Sequence, residues 1–462
     1  MIRLLNVYFP ARTVLLGVSE IVLVCLAFGL AVLVRMGPDA NLLFADEHGL
    51  LKIGIAASIY LLCMYYLDLY ESRVLGSPHE VLTRQLQVLG LGSVILAILY
   101  YVYPEAQLGR GVFLLGLLLM IPVLILWREL FRRLVASLRL SQKTLIVGHG
   151  PLARELTREV LSRPEVGLDL VGWIDVSKNG FAMDGLPYLG EISALPEVAR
   201  QQKIDRVVIA MEDRRGNLPI DDLLALRSGG AVVQEGLDLY ESVTGKIPLN
   251  SLRRGWLLFS SSSHASRKFL LCKQAFSLVL SLFGLLLTFP ILVVIAIAIK
   301  LDSKGPVLYR QKRVGKDGKK FTLYKFRTMI DGADADGKHR PAQDNDNRFT
   351  RVGRWLRRTR LDEVPQMFNI LLGNMDFVGP RPFVPNQEEE CARQIPFYSQ
   401  RWAVKPGVTG WAQINHGYCA SIEDNSEKAA YDLYYIKHMS IGLDLLILFR
   451  TVKTVLLARG SR

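Results

Sequence analysis

The sequence has little of what builds metal clusters or disulfide frameworks. Its five cysteines, Cys25, Cys63, Cys272, Cys391 and Cys419, are scattered without a C-x-x-C pair and read as reduced packing residues. The seven histidines show no H-x-x-x-H spacing, which disfavours zinc. Acidic residues are outnumbered, 43 Asp and Glu against 56 Lys and Arg, for a formal charge of +13. That surplus suits an anionic leaflet, an anionic substrate or nucleic acid. Between 302 and 381 there are 18 Lys or Arg against 10 Asp or Glu, with few aromatics among them and no helix-turn-helix or zinc pattern. Without stacking residues, a nucleic-acid partner is disfavoured. Residues 1–12 also lack a signal-peptide cleavage pattern, so the first apolar run is expected to be retained as an anchor.

What is abundant is apolar sequence: half of the 462 residues are hydrophobic. Four runs, at 13–34, 51–69, 87–104 and 111–127, each approach the roughly 20 residues that cross a bilayer. Arg3, Arg12, Arg73, Arg84, Arg128, Arg132, Arg133 and Arg139 flank one side of these spans. A thinner set, Arg35, Lys52 and Arg110, flanks the other. The positive-inside bias puts both ends of this four-helix bundle in the cytoplasm.

From 141 short apolar runs, Thr144 to Val147, Leu168 to Ile174 and Arg206 to Ala210, alternate with helix-like stretches, the pattern of a parallel α/β domain. Gly148-His149-Gly150-Pro151-Leu152-Ala153 follows the first strand and approximates the dinucleotide fingerprint, with Asp175 ending the next strand. Such turns also serve packing, so a ligand there is left open. No tyrosine in this region precedes a lysine by four residues, which argues against a nucleotide-sugar epimerase or dehydratase using NAD.

Residues 275–299 are again apolar but contain Pro290, so a helix there is expected to kink or break. Lys268 and Lys273 lie at one end, and Lys300, Lys304, Arg310, Lys312 and Arg313 at the other. Cations at both ends favour a re-entrant segment over a fifth span, with Ser281 or Thr288 covering the freed backbone groups.

Downstream, Arg357-Arg358-Thr359-Arg360-Leu361-Asp362-Glu363-Val364-Pro365-Gln366 reads as a helix start with acids in its first turn, backed by Met367, Phe368, Leu371 and Leu372. Two acids there are ordinarily dipole partners. Close cations change the reading. A carboxylate can attack a diphosphate to give an acyl phosphate, provided it stays ionised, and arginines and a divalent ion favour that state. Mg2+ suits oxygen ligands and phosphates.

Five ordered motifs carry a resemblance: Lys300-Leu301-Asp302-Ser303-Lys304-Gly305-Pro306, Lys325-Phe326-Arg327-Thr328-Met329, Leu361 to Gln366, Val378-Gly379-Pro380-Arg381-Pro382 and Lys405-Pro406-Gly407-Val408-Thr409-Gly410-Trp411. Together they resemble the bacterial monotopic phosphoglycosyl transferases. The N-terminal spans and Rossmann-like region are similar to the large form of that family, which includes exopolysaccharide-initiating polyprenyl glycosylphosphotransferases. The resemblance implies that Asp362 attacks the β-phosphate of a UDP-sugar, with glucose or galactose as the guessed sugar, releasing UMP. Polyprenyl phosphate then accepts the sugar-phosphate. Glu363, with Asp362, is implied to hold Mg2+. Lys325, Arg327, Arg357 and Arg381 match positions expected to face phosphates, and Pro290 matches the helix-breaking proline.

Two departures stand out: Phe289 replaces the usual Ser before that proline, and Asp376-Phe377 replaces a Ser and an aliphatic residue. Asp432, in a Tyr-rich motif, is a further site candidate, whereas Gln366 and Asn369 are equally well read as helix–loop hydrogen-bonders. Leu445, Leu448, Phe449, Val452, Val455 and Leu456 make an amphipathic helix, lying on the membrane surface or packed on the catalytic domain. The expected architecture is a four-helix transmembrane domain over 1–140, a Rossmann-like α/β domain over 141–262, and a mainly α monotopic catalytic domain over 263–462 with a re-entrant helix near 275–299. The expected place is the bacterial inner membrane, with the catalytic domain on its cytoplasmic face. A homodimer, an NAD-dependent dehydratase or epimerase, and a non-catalytic scaffold for polysaccharide assembly remain open at this stage.

Overall fold

The computed structural model describes residues 2–4, 6–41, 43–44, 48–71, 74, 77–137, 141–176, 183, 185–214, 217–252, 266–332, 346–417 and 421–457. Arg73, Arg139, Cys419 and the expected boundaries at 140 and 262 lie outside them. The chain gathers into two compact units, one of Met1–Ile2, Tyr8–Gly148 and Thr157–Val233, the other of Arg3–Val7, His149–Leu156 and Gln234–Arg462.

Four long helices open the first unit: α1 Ala11–Met36, α2 Gly49–Tyr66, α3 Pro78–Val102 and α4 Arg110–Ser137. At α3 the Ser77 side chain caps the Glu80 amide and Pro78 occupies the first turn, where its missing N–H costs nothing. Along α1, Leu16, Val24, Ala27 and Ala31 are buried while Leu15, Val18, Val22, Leu26 and Leu30 are exposed. A helix apolar on both faces is a membrane helix. Arg128 corrects the sequence picture of a cation flanking the fourth span. It lies inside the bundle, its Nε donating to Glu20 Oε1 at 2.6 Å and its Nη2 to Oε2 at 3.0 Å, and the Tyr70 hydroxyl donates to the same Oε2 at 2.7 Å. Burial is tolerable because the charges are paired and hydrogen-bonded.

The rest of this unit is built on a five-stranded sheet of β1 Gln142–Val147, β2 Leu168–Asp175, β3 Tyr188–Glu191, β4 Arg206–Ile209 and β5 Val232–Glu235, in the order β3-β2-β1-β4-β5. The β1–β2, β1–β4 and β2–β3 pairs run parallel, with Leu145 beside Val207 and Val147 beside Ile209. The intervening helices α5 Pro151–Leu161, α6 Leu195–Gln202 and α7 Ile220–Ser228 give the βαβ succession read from the sequence. Gly148 has φ +104°, and a Cβ there would come within 2.8 Å of the Met211 backbone, so packing alone requires this glycine.

In the second unit, α8 Gly236–Thr244 precedes α9, a single 36-residue helix spanning Arg267–Asp302. Of the expected kink or break at Pro290, the break is corrected, since the helix continues through it. Thr288 donates its hydroxyl to the Gly284 carbonyl at 2.7 Å, one turn back, rather than reaching the carbonyl that Pro290 leaves without a partner. With α9, five helices among the described residues are long and apolar enough to cross a membrane, against four expected spans. An antiparallel hairpin follows, β6 Leu308–Val314 and β7 Lys320–Phe326. Beyond it come α10 Arg351–Thr359, α11 Gln366–Leu371, β8 Asp376–Val378, α12 Pro385–Gln394, β9 Gly407–Thr409, α13 Trp411–Asn415, α14 Ile422–His438 and α15 Ile441–Leu456. β8 pairs in parallel with β9, Asp376 opposite Gly407 and Val378 opposite Thr409.

Candidate active site

Asp362 and Glu363 sit in a short 3-10 turn, Leu361–Glu363, between α10 and α11. The sequence placed them in the first turn of a helix. That helix instead begins at Gln366, with Pro365 as its N-cap residue. Arg360 ends α10 in the left-handed region at φ 57°, which turns the chain sharply and separates the two elements. A side-chain-bearing residue there costs on the order of 1 kcal/mol, a strain found at functional sites.

The strand opposite supplies the first cation. Asn369 on α11 accepts from the Tyr324 amide at 3.0 Å and donates to the Thr322 carbonyl at 2.6 Å, clipping α11 to β7. It is a packing residue, and the strand it clips carries Lys325. Lys325 Nζ donates to Glu363 Oε1 at 2.9 Å, and Arg381 Nη2 donates to the same oxygen at 2.6 Å. Burial would raise the Glu363 carboxyl, yet Arg381 and Lys325 overcome it and hold the group well below the usual carboxylate range.

Its neighbour behaves oppositely. Asp362 is buried, its carboxylate accepts no hydrogen bond from any described residue, and desolvation pushes its pKa up to about 6. Lys325, Arg357 and Arg381 pull it down, while the Glu363 charge adds to the rise. Two adjacent acids thus occupy opposite electrostatic states, one fixed as an anion and one uncommitted.

The other expected residues divide. Arg357 reaches Asp362 through its charge, and its guanidinium stacks 4.5 Å above the Phe349 ring. Arg327 points elsewhere: buried, it donates from Nη2 to Ser303 O and Oγ, both at 2.8 Å, beneath Gly305. Asp432 lies in a buried cluster, accepting from Arg401 Nε at 2.8 Å, and Arg401 Nη2 donates to the Arg381 carbonyl at 2.9 Å. Arg313 reads from the sequence only as a cation beyond the apolar segment, not as a site residue. Burial, with the Arg381 charge beside it, pushes its pKa down to about 10. Only the hairpin brings it to the site, so linear spacing gave no signal.

The acid pair fits a divalent cation by its donor chemistry. Mg2+ takes one or two carboxylates and completes its shell with water and phosphate oxygens. Both cations bond Glu363 Oε1, leaving Oε2, and the Asp362 oxygens are unclaimed among the described residues. No group of three or more His, Cys, Asp or Glu side chains gathers among the described residues.

Known proteins share this arrangement of sequence. Residues 268–458 match a model described as "Bacterial sugar transferase", and residues 66–219 one described as "CoA-binding domain". Over 222 residues the chain is 40% identical to a protein of Aeromonas hydrophila named UDP-N-acetylgalactosamine-undecaprenyl-phosphate N-acetylgalactosaminephosphotransferase, covering 48% of this chain and 52% of that one. It is 35% identical over 330 residues to an undecaprenyl-phosphate glucose phosphotransferase of Komagataeibacter xylinus, covering 70% and 60%. These alignments span about half to three fifths of those two relatives. A UDP-glucose:undecaprenyl-phosphate glucose-1-phosphate transferase of Klebsiella pneumoniae is 36% identical over 334 residues, 70% of this chain and 69% of its own. At 36% identity over more than two thirds of such a relative, and with residues 268–458 matching the family model, the chain belongs to the bacterial sugar transferases, the monotopic phosphoglycosyl transferase family.

Proposed function

We propose that this protein transfers a sugar-1-phosphate from a UDP-sugar to undecaprenyl phosphate, the first membrane step in assembling an exopolysaccharide or related glycoconjugate. The observation that carries this reading is the buried Asp362, without a hydrogen-bond partner among the described residues, beside a Glu363 held ionised by Lys325 and Arg381.

An Asp362 carboxylate oxygen forms a bond to the β-phosphorus as the bond from that phosphorus to the bridging oxygen breaks, and the electron pair departs on UMP. A phosphate oxygen of the lipid then attacks the same phosphorus, restoring the carboxylate and giving lipid diphosphate sugar. Splitting the displacement lets one site serve a soluble and a lipid substrate in turn. Lys325, Arg357 and Arg381 neutralise the phosphate oxygens, while Arg327 supports the loop after α9. Mg2+, held by Asp362, Glu363 and the donor phosphates, would reduce the repulsion between carboxylate and diphosphate.

The membrane arrangement belongs to the same reading: a bacterial inner-membrane protein with three parts over 1–140, 141–262 and 263–462, and its catalytic part on the cytoplasmic face. For α9 to enter and leave by that face it must bend at Pro290, because unbent its length of about 54 Å would exceed the roughly 30 Å hydrocarbon core and cross it. Cations stand at both ends, although Lys273 is buried and leaves Arg267 and Lys268 as the N-terminal anchors. A cysteine at position 304 labelled from outside intact cells would overturn this topology.

The test of activity is UMP release from a panel of UDP-sugars with Mg2+ and undecaprenyl phosphate. UDP-glucose comes first because two of the relatives above are named for glucose, and UDP-galactose and UDP-N-acetylgalactosamine follow. Wild-type release and its loss in Asp362→Asn are expected. Silence on every sugar refutes the reading.

A further inference from the structure

The mechanism calls on Arg381 but does not explain what sets its place, and two buried charged networks converge on the short segment that carries it. The first starts on the membrane helix. Lys273 of α9, 3% exposed, donates from Nζ to Asp444 Oδ2 at 2.7 Å, to the Tyr435 hydroxyl at 2.6 Å and to the Val378 carbonyl at 2.9 Å. Tyr435 in turn donates to Asp444 Oδ1 at 2.7 Å. One turn along α9, Ser277 Oγ accepts from the Phe377 amide at 3.2 Å. Successive backbone groups of β8 are therefore held by the polar face of a membrane helix on one side. On the other, β8 has its ladder to β9, which the Gly407 amide extends to the Pro380 carbonyl at 3.0 Å.

The second network grips the next carbonyl. Arg401 donates to the Arg381 carbonyl at 2.9 Å and is itself fixed by Asp432 at 2.8 Å, by Glu388 at 3.3 Å and by the Tyr398 hydroxyl. Three carbonyls of this segment, those of Val378, Pro380 and Arg381, are tied to α9, β9 and Arg401. At the end of this segment the Arg381 guanidinium meets Glu363 at 2.6 Å.

A lysine sunk in a membrane-helix face is costly unless it is fully paired, and pairing alone would need only Asp444. The third bond, to Val378, couples the helix to the arginine segment. Resting on the functional reading above, we propose that Lys273, with Asp444 and Tyr435, is a positioning residue for Arg381, so that seating of the membrane helix sets the distance between Arg381 and Glu363. Arg401 and Asp432 form the opposite half of the same brace, which gives Asp432 a role through Arg381 rather than at the reacting atoms.

The test uses the full-length protein in lipid nanodiscs and the double variant Lys273→Met with Asp444→Leu, which removes both charges and so strands neither. Thermal melts of Arg381→Ala, Glu363→Gln and their combination, in wild-type and double-variant backgrounds, read the coupling between Arg381 and Glu363 without any substrate. Non-additivity of several degrees is expected in the wild-type background and about one degree or less without the brace. Turnover provides the second arm: the double variant is expected to lower kcat about 10- to 100-fold, and to cost nothing further once Arg381→Ala is present. Coupling that persists undiminished, or losses that multiply with Arg381→Ala, would overturn the positioning role. Inactivity of the wild type would refute the transferase reading alone, because the melting cycle stands without it.

Discussion

Asp362→Asn is predicted to make the folded protein more stable while abolishing transfer. The folded carboxyl has a pKa of about 6 against 3.8 unperturbed, because burial and the Glu363 charge outweigh the cations nearby. With the folded pKa above the unfolded one, the folded state binds more protons between pH 3.8 and about 6. Stability therefore falls as pH rises through that window, and above it the deficit is complete. A difference of about 2 pKa units is worth roughly 3 kcal/mol, and burying the Asn amide returns part of that, so a gain of about 2 kcal/mol is expected at pH 7.5. For a cooperative unit the size of the second, about 240 residues, the Tm would rise by about 4 to 8 °C.

Melts of both proteins should be run with a chelator at pH 7.5 and again near pH 4.5, where the gap should shrink because wild-type Asp362 is then largely protonated in the folded state. Added Mg2+ should narrow the gap at pH 7.5 by stabilising the wild type alone. A variant that melts at or below the wild type at pH 7.5 without divalent cation would refute the claim that Asp362 is held against its preference for water.

Glu363→Gln should do the reverse, losing about 3 kcal/mol because Lys325 and Arg381 lose their shared anion, read as a lowered melting temperature at pH 7.5. Asn369→Leu should cost about 1 to 3 kcal/mol by stranding the Tyr324 amide and Thr322 carbonyl, and should lower turnover as Lys325 loses its register against Glu363; unchanged turnover would remove the clip from the site's design. In the bundle, Glu20→Gln should lose about 3 to 5 kcal/mol by leaving Arg128 charged and unpaired, and Glu20→Gln combined with Arg128→Met should recover most of it in the same melts.

The elements that sequence made legible are those whose environment repeats along the chain. Leu145 to Val147 and Val207 to Ile209 form a parallel sheet because they are apolar throughout, as strands covered on both faces must be. The acids and their cations were legible as a cluster of charge types in a fixed order. Partners were not. Arg128 looked like a flanking cation because hydropathy shows where a charge falls, not that Glu20, 108 residues away, awaits it. Lys273 looked like an anchor at the helix end for the same reason, although Asp444 lies 171 residues on. The helix start at Asp362 failed locally, since nothing in the residue type of Arg360 announces a left-handed backbone; tertiary packing imposes it.

Asp362 and Glu363 differ by one position and share their cations, so charge alone cannot assign their roles. Geometry does. Lys325 and Arg381 both bond one oxygen of Glu363, and neither bonds Asp362, which feels them only through space. A carboxylate tied by two charge-assisted hydrogen bonds is a poor nucleophile, because attack would break them. Among the described residues Asp362 has no such bonds to give up, and burial raises its pKa to about 6. The same cations that pin Glu363 keep enough positive potential beside Asp362 to offset part of its burial. Arg381 must then stay within reach of Glu363 while remaining open to phosphate at about a third exposed, a balance that a rigid backbone can hold and a mobile loop cannot. For this reason the carbonyl brace from α9 and Arg401 bears on the chemistry through the placement of Arg381.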